Sequence, residues 1–141
     1  MFFGEYQYKV DEKGRLPLPP KFRREMREAV ILIKGTEKCV VAYPSAEWKR
    51  LADSLAARAV TPANLRKLNR AIFGSAFSVS FDKQGRITLP LPLRSYAEIG
   101  DAAIVVGANN YVELWNEESW EAEKASAEEQ ASQIIEGFEA Q

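Results

Sequence analysis

Histidine is absent from this chain of 141 residues, and cysteine occurs once, at Cys39. The usual nitrogen and sulfur ligands of zinc and iron are therefore missing, as is the commonest general base. No metal site and no catalytic residue are expected. A lone cysteine forms no internal disulfide, and its place inside an apolar run suits buried packing rather than reactivity. There is no glycine-rich phosphate loop, and no Ser or Cys nucleophile has a histidine to activate it. No cofactor and no small-molecule substrate are expected. Long apolar runs are lacking too, so no membrane span is expected. The opening Met-Phe-Phe-Gly-Glu has no basic segment of the secretory kind, which gives the chain a cytosolic character. Hydrophobic residues still make up 46%, enough for one compact domain with a modest core.

What is present is present twice. Asp11-Glu12-Lys13-Gly14-Arg15-Leu16-Pro17-Leu18-Pro19 returns as Asp82-Lys83-Gln84-Gly85-Arg86-Ile87-Thr88-Leu89-Pro90, at a constant offset of 71. An arginine follows each copy, at Arg23 and Arg94. With one residue inserted the likeness continues at an offset of 72, pairing Gly35 with Gly107, Val40 with Val112, Tyr43 with Trp115 and Trp48 with Trp120. Self-similarity of this length is a tandem duplication of one small unit.

Within the unit, Tyr6, Tyr8 and Val10 alternate with Gln7, Lys9 and Asp11, the period of a half-buried strand. Asp11 and Gly14, and in the second copy Asp82 and Gly85, have the chemistry of a tight hairpin turn. Asp bonds the backbone just ahead of it, and Gly supplies positive φ. Leu16 and Leu18 then point to one face of the return strand and Arg15 to the other. Pro19-Pro20 ends that strand and starts a short helix. Val30–Lys34 and Cys39–Tyr43 make a second hairpin. Turn chemistry and a surface ion pair would account for one Asp-Gly-Arg; the same Arg beside the same turn in both copies points to a further task. Asp11 and Asp82 also invite comparison with the paired carboxylates of glycosidases. Each, however, lies in a turn where Asp is the structural residue, so no enzyme is expected.

Between the copies, Ser45 is a candidate cap for a helix over 46–59 that carries Trp48, Leu51 and Leu55. Thr61-Pro62 opens another, with Leu65, Leu68, Ile72 and Phe73, closed by Gly74. Arg58, Arg66, Lys67 and Arg70 of this linker read as a solvated face, with DNA contact as the lesser alternative. The second copy repeats the plan through Phe77, Val79 and Phe81, then Ala103–Gly107 and Tyr111–Trp115, with Asn109-Asn110 suited to a left-handed turn. Asn116 caps a last helix that is expected to fray beyond Trp120. The chain thus divides into module 1 (5–47), a packed helical linker (48–75), module 2 (76–119) and an acidic helix or tail (120–141), in the α+β class with flanking helices.

Net charge is −1 overall, but the sign is segregated. Residues 116–141 hold eight glutamates and one lysine, while residues 1–115 hold 18 basic and 12 acidic side chains, a net charge of +6. A duplicated, basic, hairpin-built unit is compatible with nucleic acid.

The paired Asp-x-x-Gly-Arg-[Leu/Ile]-x-Leu-Pro motifs, the opening Met-Phe-Phe-Gly-Glu-Tyr and the length resemble the MraZ family, bacterial regulators with two AbrB-like (SpoVT-AbrB) modules. The resemblance spans Met1 to about Trp120. It implies swapped-hairpin modules forming a pseudo-two-fold β-barrel core, sequence-specific binding of double-stranded DNA, and homo-oligomeric rings. It also implies a nucleoid-associated repressor of its own division and cell-wall gene cluster, acting on short G-rich direct repeats. On this likeness Arg15 and Arg86 read bases, while Lys13, Lys83, Arg23 and Arg94 neutralise phosphates. Exposed aromatics at Phe2 and Phe3 would suit a subunit interface. Two rival readings stand beside it: a ring-forming assembly module that binds protein and no DNA, and an antitoxin-like AbrB relative.

Overall fold

The computed structural model describes residues 1–58 and 60–139. Eight strands and five helices alternate along them. β1 (Glu5–Lys9), β2 (Arg15–Pro17), α1 (Pro20–Glu25), β3 (Val30–Lys34) and β4 (Val40–Pro44) form the first copy. α2 (Ser45–Ala56) and α3 (Pro62–Ile72) link it to the second, made of β5 (Phe77–Val79), β6 (Arg86–Thr88), α4 (Leu91–Tyr96), β7 (Ala102–Gly107) and β8 (Val112–Trp115). α5 (Glu117–Glu139) ends the described chain. Among the described residues no helix is long and apolar enough to cross a membrane.

The expected closed barrel is not what the strands form. Six of them make an open antiparallel sheet in the order β1-β7-β8-β4-β3-β5, and β2 and β6 make a separate two-stranded ribbon. Exchanging each strand for its counterpart in the other copy reverses the six-strand order onto itself, so the sheet carries the pseudo-two-fold of the duplication. The first strand of each copy pairs with the second hairpin of the other, β1 with β7 and β5 with β3. The expected β1–β2 hairpin is therefore only a turn. Its strands part into different sheets, because Val10 N–H bonds the carbonyl of Asp101 (2.8 Å) while Leu16 faces Ile87 across the ribbon.

Strand alternation gives the sheet two unlike faces. Val40, Ala42, Val105, Val112 and Leu114 point to the main core, where Leu16, Leu18, Ile87 and Leu89 of the ribbon side, with Phe22 of α1 and Leu93 of α4, cover them. Each such buried Val, Leu, Ile or Phe side chain contributes about 1.5–3 kcal/mol. Ile33, Val41, Ile104 and Trp115 point the other way, onto a smaller cluster that includes Trp48 of α2, Ile72 of α3 and Trp120 of α5. The ribbon and α2, α3 and α5 thus lie on opposite sides of one sheet. Cys39 is buried in the second cluster.

Several terminal details differ from expectation. Phe2 is buried, edge-on against Phe22 at 5.1 Å and bridged by its backbone to Asn109, so only Phe3 is an exposed N-terminal aromatic. α2 begins at Ser45 itself, with no side-chain cap, and ends at Ala56; the expected end at Ala59 lies outside the described residues. Thr61 does cap α3, accepting from Asn64 N–H at 3.2 Å, and Asn116 caps α5 through Ser119 N–H at 3.0 Å. α5 does not fray at Trp120; it runs to Glu139, because Ala, Glu and Gln are strong helix formers even without packing.

Candidate nucleic-acid interface

Two turns built alike flank the ribbon. In the first, Asp11 N–H and Gly14 N–H close the loop on Arg15 O (3.0 Å) and Asp11 O (2.9 Å). Asp11 Oδ1 accepts the backbone N–H of Lys13 (3.0 Å) and Arg15 (2.9 Å), and Oδ2 accepts Arg15 Nε–H at 2.6 Å. In the second, Asp82 Oδ1 accepts Gln84 N–H and Arg86 N–H, each at 2.9 Å, and Oδ2 accepts Arg86 Nε–H at 2.8 Å. Gly14 and Gly85 supply the left-handed residues, with φ of +80° and +75°. The backbone N–H of Arg15, and then its guanidinium, hold the Asp11 carboxyl below its ordinary range; Arg86 does the same for Asp82. Both carboxylates are thus charged anchors for an arginine.

The ribbon sets the two arginines side by side. Arg15 pairs with Thr88, Leu16 with Ile87 and Pro17 with Arg86. Leu16 and Ile87 point into the core, so Arg15 and Arg86 share the outward face as diagonal neighbours, about 7–8 Å apart. Arg86 Nη1 also lies 3.8 Å from Asp11 Oδ2, which ties the two turns together. Each Asp engages the arginine of its own turn through Nε and not through the terminal amines, of which Arg86 Nη1 is the one near the other turn's Asp. Both side chains are about one-third exposed (33% and 28%) and held at Nε.

Of the remaining sequence-selected residues, Lys13 and Lys83 lie within the turns, as expected, while Arg23 and Arg94 reach across between the copies. Arg23 and Arg94 were expected beyond their own turns; each instead reaches the turn of the other copy. Arg23 Nη1 lies 3.5 Å from Gln84 O, and a Cβ at Gly85 would fall 1.4 Å from that nitrogen. A Cβ at Gly14 would fall 2.7 Å from Arg94 Nη1. The hydrogen at these two positions makes room for the crossing arginines. Lys13 and Lys83 are exposed at the turn tips, but they are not equivalents. The offset of 71 matches Lys13 to Gln84 and Lys83 to Glu12, so each tip carries one lysine at a different place. Lys9 and Gln7 of β1, which the motif did not single out, border with Arg15 and Arg86 a depression of about 620 Å³. Asp11, Asp101 and Glu117 line it as well, so its walls carry both signs of charge. Among the described residues no group of His, Cys, Asp and Glu is placed to hold a metal ion.

Comparison with known proteins agrees with the duplication. A family model described as "MraZ protein, putative antitoxin-like" matches residues 1–70 and again 72–137. Two relatives from Dehalococcoides mccartyi strains, each named transcriptional regulator MraZ, are 56% and 55% identical over 140 residues, 99% of either chain. A relative of the same name from Frankia alni is 42% identical over 136 residues, 96% of this chain and 95% of its own.

Proposed function

Since the chain belongs to the MraZ family, we propose that it is a transcriptional regulator that binds double-stranded DNA through the β2–β6 ribbon. The family is one of regulators, not of enzymes. The observation that carries the reading is the pair Arg15 and Arg86, side by side on an outward ribbon, each anchored at Nε by the Asp of its own turn. A two-stranded ribbon fits the major groove, and an arginine fork there pairs with guanine O6 and N7. The separation of about 7–8 Å is close to two base steps of about 3.4 Å. Lys13, Lys83 and Lys9 surround the pair as phosphate contacts, while Arg23 and Arg94 act mainly on the turns that present it.

Two forks make a small set of base contacts, and one copy binds a short site weakly. A ring of copies facing short G-rich direct repeats, as the family resemblance implies, converts weak contacts into avid binding through effective concentration. The interleaved hairpins form its pseudo-two-fold unit. On this reading the protein works at the nucleoid, on the promoter of its own gene cluster.

Arg15→Ala and Arg86→Ala should each lose about 1–3 kcal/mol of preference for that promoter over scrambled DNA. Lys13→Ala should weaken both DNAs alike and flatten the salt dependence by about one unit of slope. Binding to the two DNAs at two salt concentrations, with melting curves for each variant, makes the test. Promoter preference retained in both arginine variants would refute base reading at the ribbon. Absence of preference in the unaltered protein would favour a protein-binding module instead.

A further inference from the structure

The sheet face turned away from the ribbon carries a groove of about 540 Å³, bordered by α2, α3 and α5. That volume is of the size that takes a small molecule. Four of its side chains are aromatic, and they stand as two tilted pairs. Tyr43 and Tyr111 have ring centroids 5.6 Å apart, and Trp115 and Trp120 5.7 Å apart. Leu51 of α2 and Ile72 of α3 add to the apolar lining.

Three carboxylates, Glu37, Glu113 and Glu123, line the same groove. Glu113 is half-buried and fixed in place: Oε1 accepts Trp115 Nε1–H at 3.1 Å, and Oε2 accepts Cys39 Sγ–H at 3.7 Å. Burial opposes its charge, and Glu37 and Glu123 oppose it further. Among the described residues none of the three carboxylates has an ion-pair partner. Lys34 lines the groove as well, but its ammonium lies 5.3 Å over the ring of Tyr96 in α4. Lys124 of α5 is held by Glu5. The groove therefore combines aromatic rings with negative charge that the chain itself does not neutralise.

We propose that this groove binds a small organic cation, an alkyl- or arylammonium, with its nitrogen near Glu113 and the aromatic pairs and its apolar body against Leu51 and Ile72. The ring quadrupoles attract the positive charge, and the carboxylate supplies its counter-charge. A metal ion does not fit, since among the described residues no group of His, Cys, Asp and Glu is placed to hold one. Three carboxylates repel an anion, and a neutral apolar molecule would bury Glu113 deeper without a counter-charge. The groove and the Arg15–Arg86 ribbon lie on opposite sides of the sheet, so this ligand and DNA use separate surfaces. The proposal stands or falls independently of the reading of the ribbon.

Tryptophan emission and calorimetry on the full chain test it, because Trp48, Trp115 and Trp120 all pack on this face. The first probe is benzyltrimethylammonium, with ionic strength held constant by sodium chloride; it should bind saturably. Choline and its neutral isostere 3,3-dimethylbutan-1-ol separate charge from shape, and choline should bind about tenfold more tightly or better. Glu113→Gln keeps an oxygen for Trp115 but not the charge. It should weaken both cations by about tenfold or more in a protein that still melts cooperatively. Tyr111→Leu, which keeps an apolar side chain without the ring, should narrow the gap between choline and the isostere. Should Glu113→Gln fail to fold, Glu37→Gln with Glu123→Gln carries the charge test at the groove's other two carboxylates. Absence of saturable binding by either cation overturns the proposal. Equal binding of choline and the isostere overturns it too, leaving only an apolar groove. So does undiminished cation binding in the folded Gln variants.

Discussion

Gly85→Ala probes whether the crossing arginines hold the turns that present the ribbon. At φ +75° an L-residue costs about 1–2 kcal/mol more than glycine. The new Cβ would also meet Arg23, with Nη1, Cζ and Cδ at 1.4, 2.5 and 3.0 Å as its three nearest atoms. All three belong to one flexible side chain, so the overlap is relieved when Arg23 leaves and gives up its bond to Gln84 O. Losing that bond adds about 1 kcal/mol, for a total of about 2–3 kcal/mol. In a background of Arg23→Ala only the backbone part remains, so the double variant should be about 1 kcal/mol more stable than additivity predicts. Gly14 supplies the contrast. Its Cβ would meet Arg94 Nη1 at 2.7 Å but also the backbone carbonyl of Leu89 at 3.0 Å, on a residue whose N–H bonds Gly14 O at 2.8 Å. Removing Arg94 cannot move that carbonyl, so the Gly14–Arg94 coupling should be the smaller. Urea denaturation of the two double-mutant cycles measures both. Additive energies in the Gly85–Arg23 cycle, or equal coupling in the two cycles, would refute the claim that each arginine braces the opposite turn.

The local chemistry of the turns was readable from residue types alone, because Asp and Gly at that spacing have few other uses. Where the strands go after the turn was not readable. An Asp-x-x-Gly turn is locally compatible with a hairpin, and the choice of β7 over β2 as the partner of β1 is made by contacts distant in the chain, as between Tyr6 and Val105. The crossing of Arg23 and Arg94 follows from the same exchange. Their shared offset of 71 was a signal that both do one job, but not whose turn they serve. The mismatch of Lys13 with Lys83 needed only the offset applied strictly. Phe2 looked like a surface aromatic because its sequence neighbours say nothing of Phe22 or of Gly107, where a Cβ would lie 2.3 Å from Phe3 N.

Two further outcomes follow from the second face of the sheet. Ending the chain after Ala127 removes Glu128, Glu129, Glu136 and Glu139 and, among the described residues, no buried side chain. The melting temperature should hold, while binding to scrambled DNA at low salt should tighten as anionic repulsion is lost; a collapsed melting transition would show that the distal helix is structural. Glu113→Gln should stabilise the protein, and more so as pH rises. Glu113 is half-buried beneath the groove, accepting Trp115 Nε1–H at 3.1 Å and Cys39 Sγ–H at 3.7 Å, and burial pushes its carboxyl above the ordinary 4.5, with the charges of Glu37 and Glu123 adding to the rise. A carboxyl whose folded pKa is raised favours folding while it is protonated and loses that contribution as pH climbs through the folded value. Gln keeps an oxygen for Trp115 and never ionises. The variant should therefore melt close to the unaltered protein near pH 4 and above it at pH 7. Asp11 and Asp82 titrate with the opposite sign, but they are common to both proteins and cancel in the difference. Burial also raises the Cys39 thiol, so no thiolate forms in this window. A melting difference that is the same at both pH values, or that favours Glu113 at pH 7, would show that the carboxylate is well solvated or better paired than its surroundings indicate.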